Sequence, residues 1–322
     1  MTGDKYLIDI NDKSNYLRVN MDYAADGSLN EEEHIFTYPE GIHQCFEFTE
    51  SFFYGGTSYH EHSFGCEIFF VADGRMDLIS HGKICEAVTG DILFIPAYCS
   101  HQMIFHCPTV YHCTYHSMDM CGTLNNWNRI VTYDKDHMDD PLLASSYLAN
   151  KQNIPREAPV TVRVDKADMP EIRNKDKYLN RYDFDGCVMK QMTGRWENNG
   201  ISEMWRFEMQ DGFAVDYQNI VPNVDFFYIT EGEVEFTVGG KTFTAYRHCL
   251  VKIPNYVPRS FRSKGDSVMY DIGGMTHWLD VIEDYRTIKE FEPARFQDKE
   301  VIRTILHRHE CDVKSFGKEQ LL

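Results

Sequence analysis

The chain reads as an all-β-dominated protein, two tandem small barrels with a few peripheral helices. Three observations predict this. Short apolar runs rich in Phe, Tyr, Ile and Val recur between Gly, Pro and Asp turn signals from residue 34 to about 118. The same pattern returns from Ile201 to about Gly274, and it is an internal repeat: Glu67-Ile-Phe-Phe-Val-Ala-Asp-Gly74 aligns with Asp225-Phe-Phe-Tyr-Ile-Thr-Glu-Gly232, and at the same offset Ile95-Pro96-Ala-Tyr98 aligns with Ile253-Pro254-Asn-Tyr256. The 322 residues are enough for two domains, each burying its own core, and the expected division is 1–150 and 151–322.

The first repeat carries the chemistry. His60 and His62 lie two apart, so on a strand they share a face. Glu67 opens the apolar run Ile68-Phe69-Phe70-Val71, and Asp73-Gly74 is a hairpin-type turn signal. Gly90-Asp91 leads into Ile92-Leu93-Phe94-Ile95, which Pro96 ends, and His101 begins another β-rich run. Three imidazoles and one carboxylate can converge inside such a barrel, a set that suits one divalent transition metal per chain with coordination sites left open. The donors do not distinguish Mn, Fe, Ni, Co or Zn.

These two blocks, His-x-His-x4-Glu-x6-Gly and Gly-x5-Pro-x4-His, resemble the two signature motifs of the cupin superfamily. The resemblance implies double-stranded β-helix (jelly-roll) barrels, hence a bicupin, with His60, His62, Glu67 and His101 as metal ligands. It departs at Tyr54, Tyr98 and Phe105, none of them a ligand position. It admits isomerase, decarboxylase, lyase, hydrolase and ring-cleaving dioxygenase chemistry. Under the repeat alignment the four ligand positions become Gln218, Ile220, Asp225 and Arg259. An apolar side chain and a cation cannot complete a metal shell, so the second barrel is expected to be structural.

Other residues can shape the site. Val110 to His116 alternates, placing His112, Thr114 and His116 on one strand face and Tyr111, Cys113 and Tyr115 on the other. If the histidine face looks inward, His112 or His116 joins Glu67 as a catalytic acid–base candidate. Phe69, in phase with Glu67, and Met103 and Phe105, in phase with His101, would narrow the pocket toward a small, flat or partly apolar substrate. Cys66 and Cys99 flank ligands, and oxidisable thiols there lean against sustained oxygen activation.

Outside the barrels, Pro141 to Lys151 is helix-compatible, and part of the segment from Met118 to about Gly200 is expected to pack over the barrel mouth. Trp278, Val281, Ile282 and Tyr285 fall at helical spacing. The tail from Val301, with His307 and His309, reads as a solvated end.

Composition bounds the function classes. With 50 acidic against 32 basic residues and a net charge of −18, a nucleic-acid or anionic-membrane surface is not expected. The ten cysteines form no CxxC pair, no leader is evident at the N-terminus, and no apolar stretch reaches membrane-spanning length. The expectation is a cytoplasmic homo-oligomer (a dimer) acting on a small molecule. The leading reading is a non-oxidative lyase, hydrolase or isomerase, with ring-opening hydrolysis of a cyclic diketone one example. The alternatives are an iron-dependent ring-cleaving dioxygenase and a non-enzymatic small-molecule-binding cupin.

Overall fold

The computed structural model describes residues 6–9, 17–21, 30–39, 45–57, 59–63, 65–116, 153–198, 200, 203–217, 225–254, 256–272, 278–309, 311 and 313–320. They fall into two compact units. Lys13–Lys177 with Trp196–Ile201 makes the first barrel, and Met1–Asp12, Tyr178–Arg195 and Ser202–Leu322 make the second. Each is a curled β-sheet, of 12 strands in the first and 11 in the second.

The spine of the first barrel is the strand His101–His116. The half nearer His101 pairs with Arg75–Ser80, and the half nearer His116 pairs with Cys66–Asp73. Its other edge takes Cys45–Gly56 and, at His101, His60. Asp73-Gly74 is therefore not a hairpin turn, as its composition suggests, but a bend between two strands laid end to end on one partner. Gly74 has φ +95°, and a Cβ there would stand 2.8 Å from the Pro108 carbonyl oxygen. Pro108 lacks a ladder donor, and the register shifts between Phe105 and Thr109. The two irregularities face each other and set the bend.

The second barrel repeats this arrangement at a constant offset of 158 residues (67 to 225, 101 to 259). Asp225–Val238 runs antiparallel along Arg259–Asp271, and Gly232, φ +70°, bends it where Gly74 bends its counterpart. Left-handed backbone recurs at matched positions: His81 and Gly239, Gly82 and Gly240, Gly90 and His248, Tyr98 and Tyr256. Tyr98 and Tyr256, both at φ +61°, occupy the position where the cupin motif usually has glycine. The backbone keeps the turn that glycine would serve. The side chain has simply moved into solvent, at 65% and 63% exposure.

Each barrel has its own apolar core. Phe69, Leu78, Leu93, Met103, Phe105 and Tyr111 pack in the first, and Trp205, Phe207, Phe227, Phe236 and Phe261 in the second. Among the described residues three α-helices follow the second barrel: Trp278–Phe291, Pro293–Phe296 and Lys299–Arg308. The first buries Trp278, Val281 and Ile282, the stripe that the spacing predicts, and Trp278 Nε1 donates to Asp271 Oδ2 at 3.1 Å. The expected solvated tail is corrected. Asp298 caps Lys299–Arg308, which buries Ile302, Ile305 and Leu306, and Val313–Phe316 then pairs with Ala214–Tyr217. His307 is exposed, but His309 contacts Asp284 at 2.8 Å. The helix-compatible run Pro141 to Lys151 lies outside the described residues.

The bends carry a testable energetic difference. Gly240, φ +79°, has open space where a Cβ would go, whereas a Cβ on Gly232 would overlap the Asp266 carbonyl oxygen. Gly240→Ala should cost about 1–2 kcal/mol from backbone conformation alone. Gly232→Ala should cost about 3 kcal/mol or more, because strand must also move away from strand. Urea unfolding of the two variants compares them, and equal losses would show that the close approach at Gly232 does not hold the bend.

Candidate metal centre

The short strand His60–His62 points both imidazoles inward, and all three of its residues are buried. Its central residue, Glu61, takes the other face. There Arg156 donates to Glu61 Oε1 at 2.5 Å and Ser100 to Oε2 at 2.6 Å, and Arg156 holds the carboxyl below its usual range. The strand's free edge is covered by Asn153–Pro155, registered Asn153 on His62 and Pro155 on His60. A late segment of the same unit thus braces the histidine strand. Sequence reasoning missed this brace; its signal was an acidic residue set between two inward histidines.

His101 is the first residue of its strand and sits directly across from His60, with ring centroids 4.4 Å apart. Glu67, second in Cys66–Asp73, shares the interior face with Phe69 and Val71. His62 Nε2 lies 3.2 Å from Glu67 Oε1, and His101 Nε2 lies 3.1 Å from Glu67 Oε2. One ligand atom from each of His60, His62, Glu67 and His101 falls within 4.8 Å of the others, all four residues buried. Burial alone would push the Glu67 carboxyl up, but His62 and His101 outweigh it and hold it well below the carboxylate range. His101 Nδ1 meets the Cys99 carbonyl oxygen at 3.0 Å, so Nδ1 carries the proton and Nε2 keeps its lone pair toward the centre. Tyr98 N in turn donates to the His62 carbonyl at 2.7 Å, tying the loop before His101 to the histidine strand. A buried donor set of three imidazoles and a carboxylate, with backbone fixing one tautomer, fits a divalent transition metal.

Not every sequence candidate reaches this centre. Cα register pairs Glu67 with Tyr115, Phe69 with Cys113 and Val71 with Tyr111. Directly opposed residues share a face, so the face carrying Tyr111 and Cys113 looks inward. His112 takes the opposite face, paired to Phe70 and Glu50, and the side chain of His116 lies outside those described. His112 is thus not on the face of Glu67 where an acid–base group would stand. Alternation alone left the face open, and the partner strand decides it. Phe69, Met103 and Phe105 are 1–3% exposed and packed in the interior cluster, where Tyr111 stacks on Phe105 at 5.8 Å. They form an apolar wall. Burial pushes the Cys66 thiol far up and the Cys99 thiol to about 12, so both stay protonated and poorly reactive. Their presence carries no weight against oxygen chemistry.

The second barrel answers the same geometry differently. Asp225 and Arg259, at the positions of Glu67 and His101, are 0% and 3% exposed and form a direct ion pair. A guanidinium from the chain supplies the positive charge opposite the buried carboxylate. The other two matching positions, Gln218 and Ile220, lie outside the described residues.

No protein-family model and no protein of curated function matches the sequence. Solved structures do match in fold. A tryptophan-to-tyrosine variant of oxalate decarboxylase from Bacillus subtilis aligns over 91% of this chain and 85% of its own, at 11% identity and a TM-score of 0.52. Oxalate decarboxylase from Lactobacillus farciminis, in a formate complex, aligns over 92% and 97%, at 13% identity and a TM-score of 0.51. A cupin 2 conserved barrel domain protein from Leptotrichia buccalis aligns over 73% and 85%, at 10% identity and a TM-score of 0.47. Identities this low speak to fold alone. The chain has the two-barrel cupin fold, and the buried His-His-Glu-His cluster of its first barrel suits a metal. Among the described residues no helix is long and apolar enough to cross a membrane.

The ion pair of the second barrel can be probed directly. Arg259→Met leaves Asp225 buried without its cation and should cost about 3–5 kcal/mol, whereas Asp225→Leu with Arg259→Met should recover most of that loss. Metal content should be unchanged in both. Denaturation with elemental analysis reads the two together, and a neutral Arg259→Met would mean that the pair does not support the barrel.

Proposed function

We propose that the first barrel is the catalytic centre of a metal-dependent, non-oxidative cupin enzyme, a lyase, hydrolase or isomerase, and that the second barrel is structural. The substrate is a small compound presenting a carbonyl or enolate oxygen, with ring-opening C–C hydrolysis of a cyclic 1,3-diketone as one reaction of this class. The observation that carries the reading is the buried convergence of His60, His62, Glu67 and His101. These residues would hold one divalent transition metal per chain, which supplies Lewis acidity toward a carbonyl oxygen and makes bound water more acidic.

The chain's own residues do the rest. Glu67 contributes the single negative charge of the set, leaving a net positive centre that favours an oxyanion. The Cys99 carbonyl holds the His101 ring in orientation, and Asn153–Pro155 braces the strand of His60 and His62. Phe69, Met103 and Phe105 keep one side of the interior dry, which strengthens electrostatic interactions at the centre and limits substrate size. Eight of the ten cysteines are free, which supports a reducing, cytoplasmic setting. Two structures that align over more than nine tenths of the chain are named as oxalate decarboxylases, which favours small oxygenated acids among the first substrates to assay.

A ring-cleaving dioxygenase is the second reading. It gains from the protonated, buried state of Cys66 and Cys99, which removes the redox objection, and the same imidazole and carboxylate donors suit ferrous iron.

Two experiments test the proposal. His62→Ala should lose bound metal and activity together while the barrel stays folded, since its core is built from apolar strands; full activity without metal would end the metalloenzyme reading. Turnover of oxo acids, cyclic diketones or sugar acids should persist under strict anaerobiosis. An oxygen electrode recording uptake equal to product formed would instead establish the dioxygenase. Tight binding of one compound with no turnover would establish a binding protein.

A further inference from the structure

We propose a second cation site on the first barrel, separate from the four-residue centre, in which His81 Nε2, Cys99 Sγ and Glu171 Oε1 bind a thiophilic divalent cation of the zinc class. The three atoms form a nearly equilateral triangle: Cys99 Sγ to His81 Nε2 is 3.6 Å, Cys99 Sγ to Glu171 Oε1 is 3.8 Å, and His81 Nε2 to Glu171 Oε1 is 3.8 Å. Bonds of about 2.3 Å to sulfur and about 2.1 Å to nitrogen and oxygen, at tetrahedral angles, place such donors roughly 3.4–3.6 Å apart. The triangle is one face of that tetrahedron, open by a few tenths of an ångström. Its fourth corner is left to water.

Burial and charge fit the same occupant. Cys99 and Glu171 are 3% and 7% exposed, while the His81 side chain is 63% exposed and gives the ion a path from solvent. Glu171 Oε1 accepts from Ser80 Oγ at 3.0 Å, but its buried Oε2 has no hydrogen-bond partner. A buried carboxylate with one oxygen unmatched favours a cation nearby. On binding, the Cys99 thiol gives up its proton to solvent; thiolate, carboxylate and neutral imidazole then sum with a divalent ion to zero charge. A neutral site is the form a largely buried pocket tolerates.

The three residues are held by separate pieces of rigid backbone. His81 and Gly82, at φ +50° and +74°, form the two-residue turn between Ser80 and Lys83. Cys99 N donates to the Pro96 carbonyl, and the Glu171 carbonyl accepts from Phe94 N at 2.8 Å beside the Ile172–Leu93 pair. The second barrel makes the same turn with Gly239 and Gly240, and it has Val238 and Val257 where the first has Ser80 and Cys99. The turn itself therefore asks only for glycine. Histidine takes the left-handed conformation at a cost of about 1 kcal/mol, and its side chain is what the first barrel has in exchange. Because the Cys99 carbonyl also orients His101, an ion held by its thiol would stiffen the support of the central site.

The test uses the holoprotein, with its central metal in place, titrated with Co2+ and with Cd2+. One further equivalent per chain should bind, with a thiolate-to-metal charge-transfer absorption in the near ultraviolet. Cys99→Ser should abolish the band and the extra equivalent, and His81→Ala should weaken the extra site at least tenfold. His62→Ala, which empties the central site, should leave the band in place, so this inference and the proposed enzyme fail independently. No band in the wild-type protein, or a band that survives Cys99→Ser, overturns the proposal. Should Cys99→Ser fail to fold, His81→Ala decides alone, because its side chain is mostly in solvent; unchanged affinity there overturns it equally.

Discussion

A carboxylate buried inside a β-barrel is the constraint around which both halves of this molecule are organised. Glu67 and Asp225 occupy the same rung of the repeated strand, facing Ile95 and Ile253 across the ladder, and are 3% and 0% exposed. An ionised carboxylate in such surroundings is stable only where positive charge or several hydrogen-bond donors meet it. The first barrel meets it with imidazoles aimed at a common centre, and the second with one guanidinium. Arg259 fills its site permanently, since the cation is covalently part of the chain. The imidazoles of the first barrel leave room for an ion with open coordination positions. One backbone plan thus carries two answers to the same buried carboxylate, and the difference lies in a handful of side chains.

The placement of those side chains depends on the long crossing strands. His101–His116 spans the barrel, and its two halves pair with Arg75–Ser80 and Cys66–Asp73. Tyr111 opposite Val71 and Cys113 opposite Phe69 set which face of the second half looks inward with Glu67. A slip by one residue would bring His112 onto the face of Glu67. The close approach of Gly74 to Pro108 pins the strands against that slip.

Much of this was legible in the residues, for reasons of range. His60, His62, Glu67 and His101 could be read together because their spacing follows from strand period and turn position, both local properties. The repeat was legible because 158 residues separate every matched pair without insertion from Glu67 to Arg259's partner His101. Helix Trp278–Phe291 was legible from its stripe. What could not be read were contacts set by distant partners. Asp73-Gly74 carries a hairpin signal locally, and only Pro108 and Thr109 make it a bend. The inward face of 110–116 is decided by Cys66–Asp73, the cover on His60–His62 by Asn153–Pro155, and the pairing of Leu7–Asp9 by Cys249–Val251. The grouping of His81, Cys99 and Glu171 is of the same kind, since Glu171 enters from a segment that no local pattern ties to the barrel.

The buried thiols show how a change of environment alters a functional argument. Beside a metal site, cysteine in sequence suggests an oxidation liability and hence a bias against oxygen chemistry. That inference presumes a thiolate or an accessible sulfur, because reactivity follows thiolate fraction and exposure. Cys66 has no exposure and Cys99 has 3%, and burial keeps both protonated. The bias therefore vanishes, and the choice between Lewis-acid and oxygen chemistry passes to the centre itself. There the relevant quantity is which state of the ion the donors favour. Three neutral imidazoles and one carboxylate leave a divalent ion with a net positive charge, suited to an enolate or oxyanion whatever the metal. Redox chemistry needs, in addition, a particular metal and room for oxygen beside the substrate. The Lewis-acid reading asks for nothing beyond the donor set, and that is why it is the one proposed.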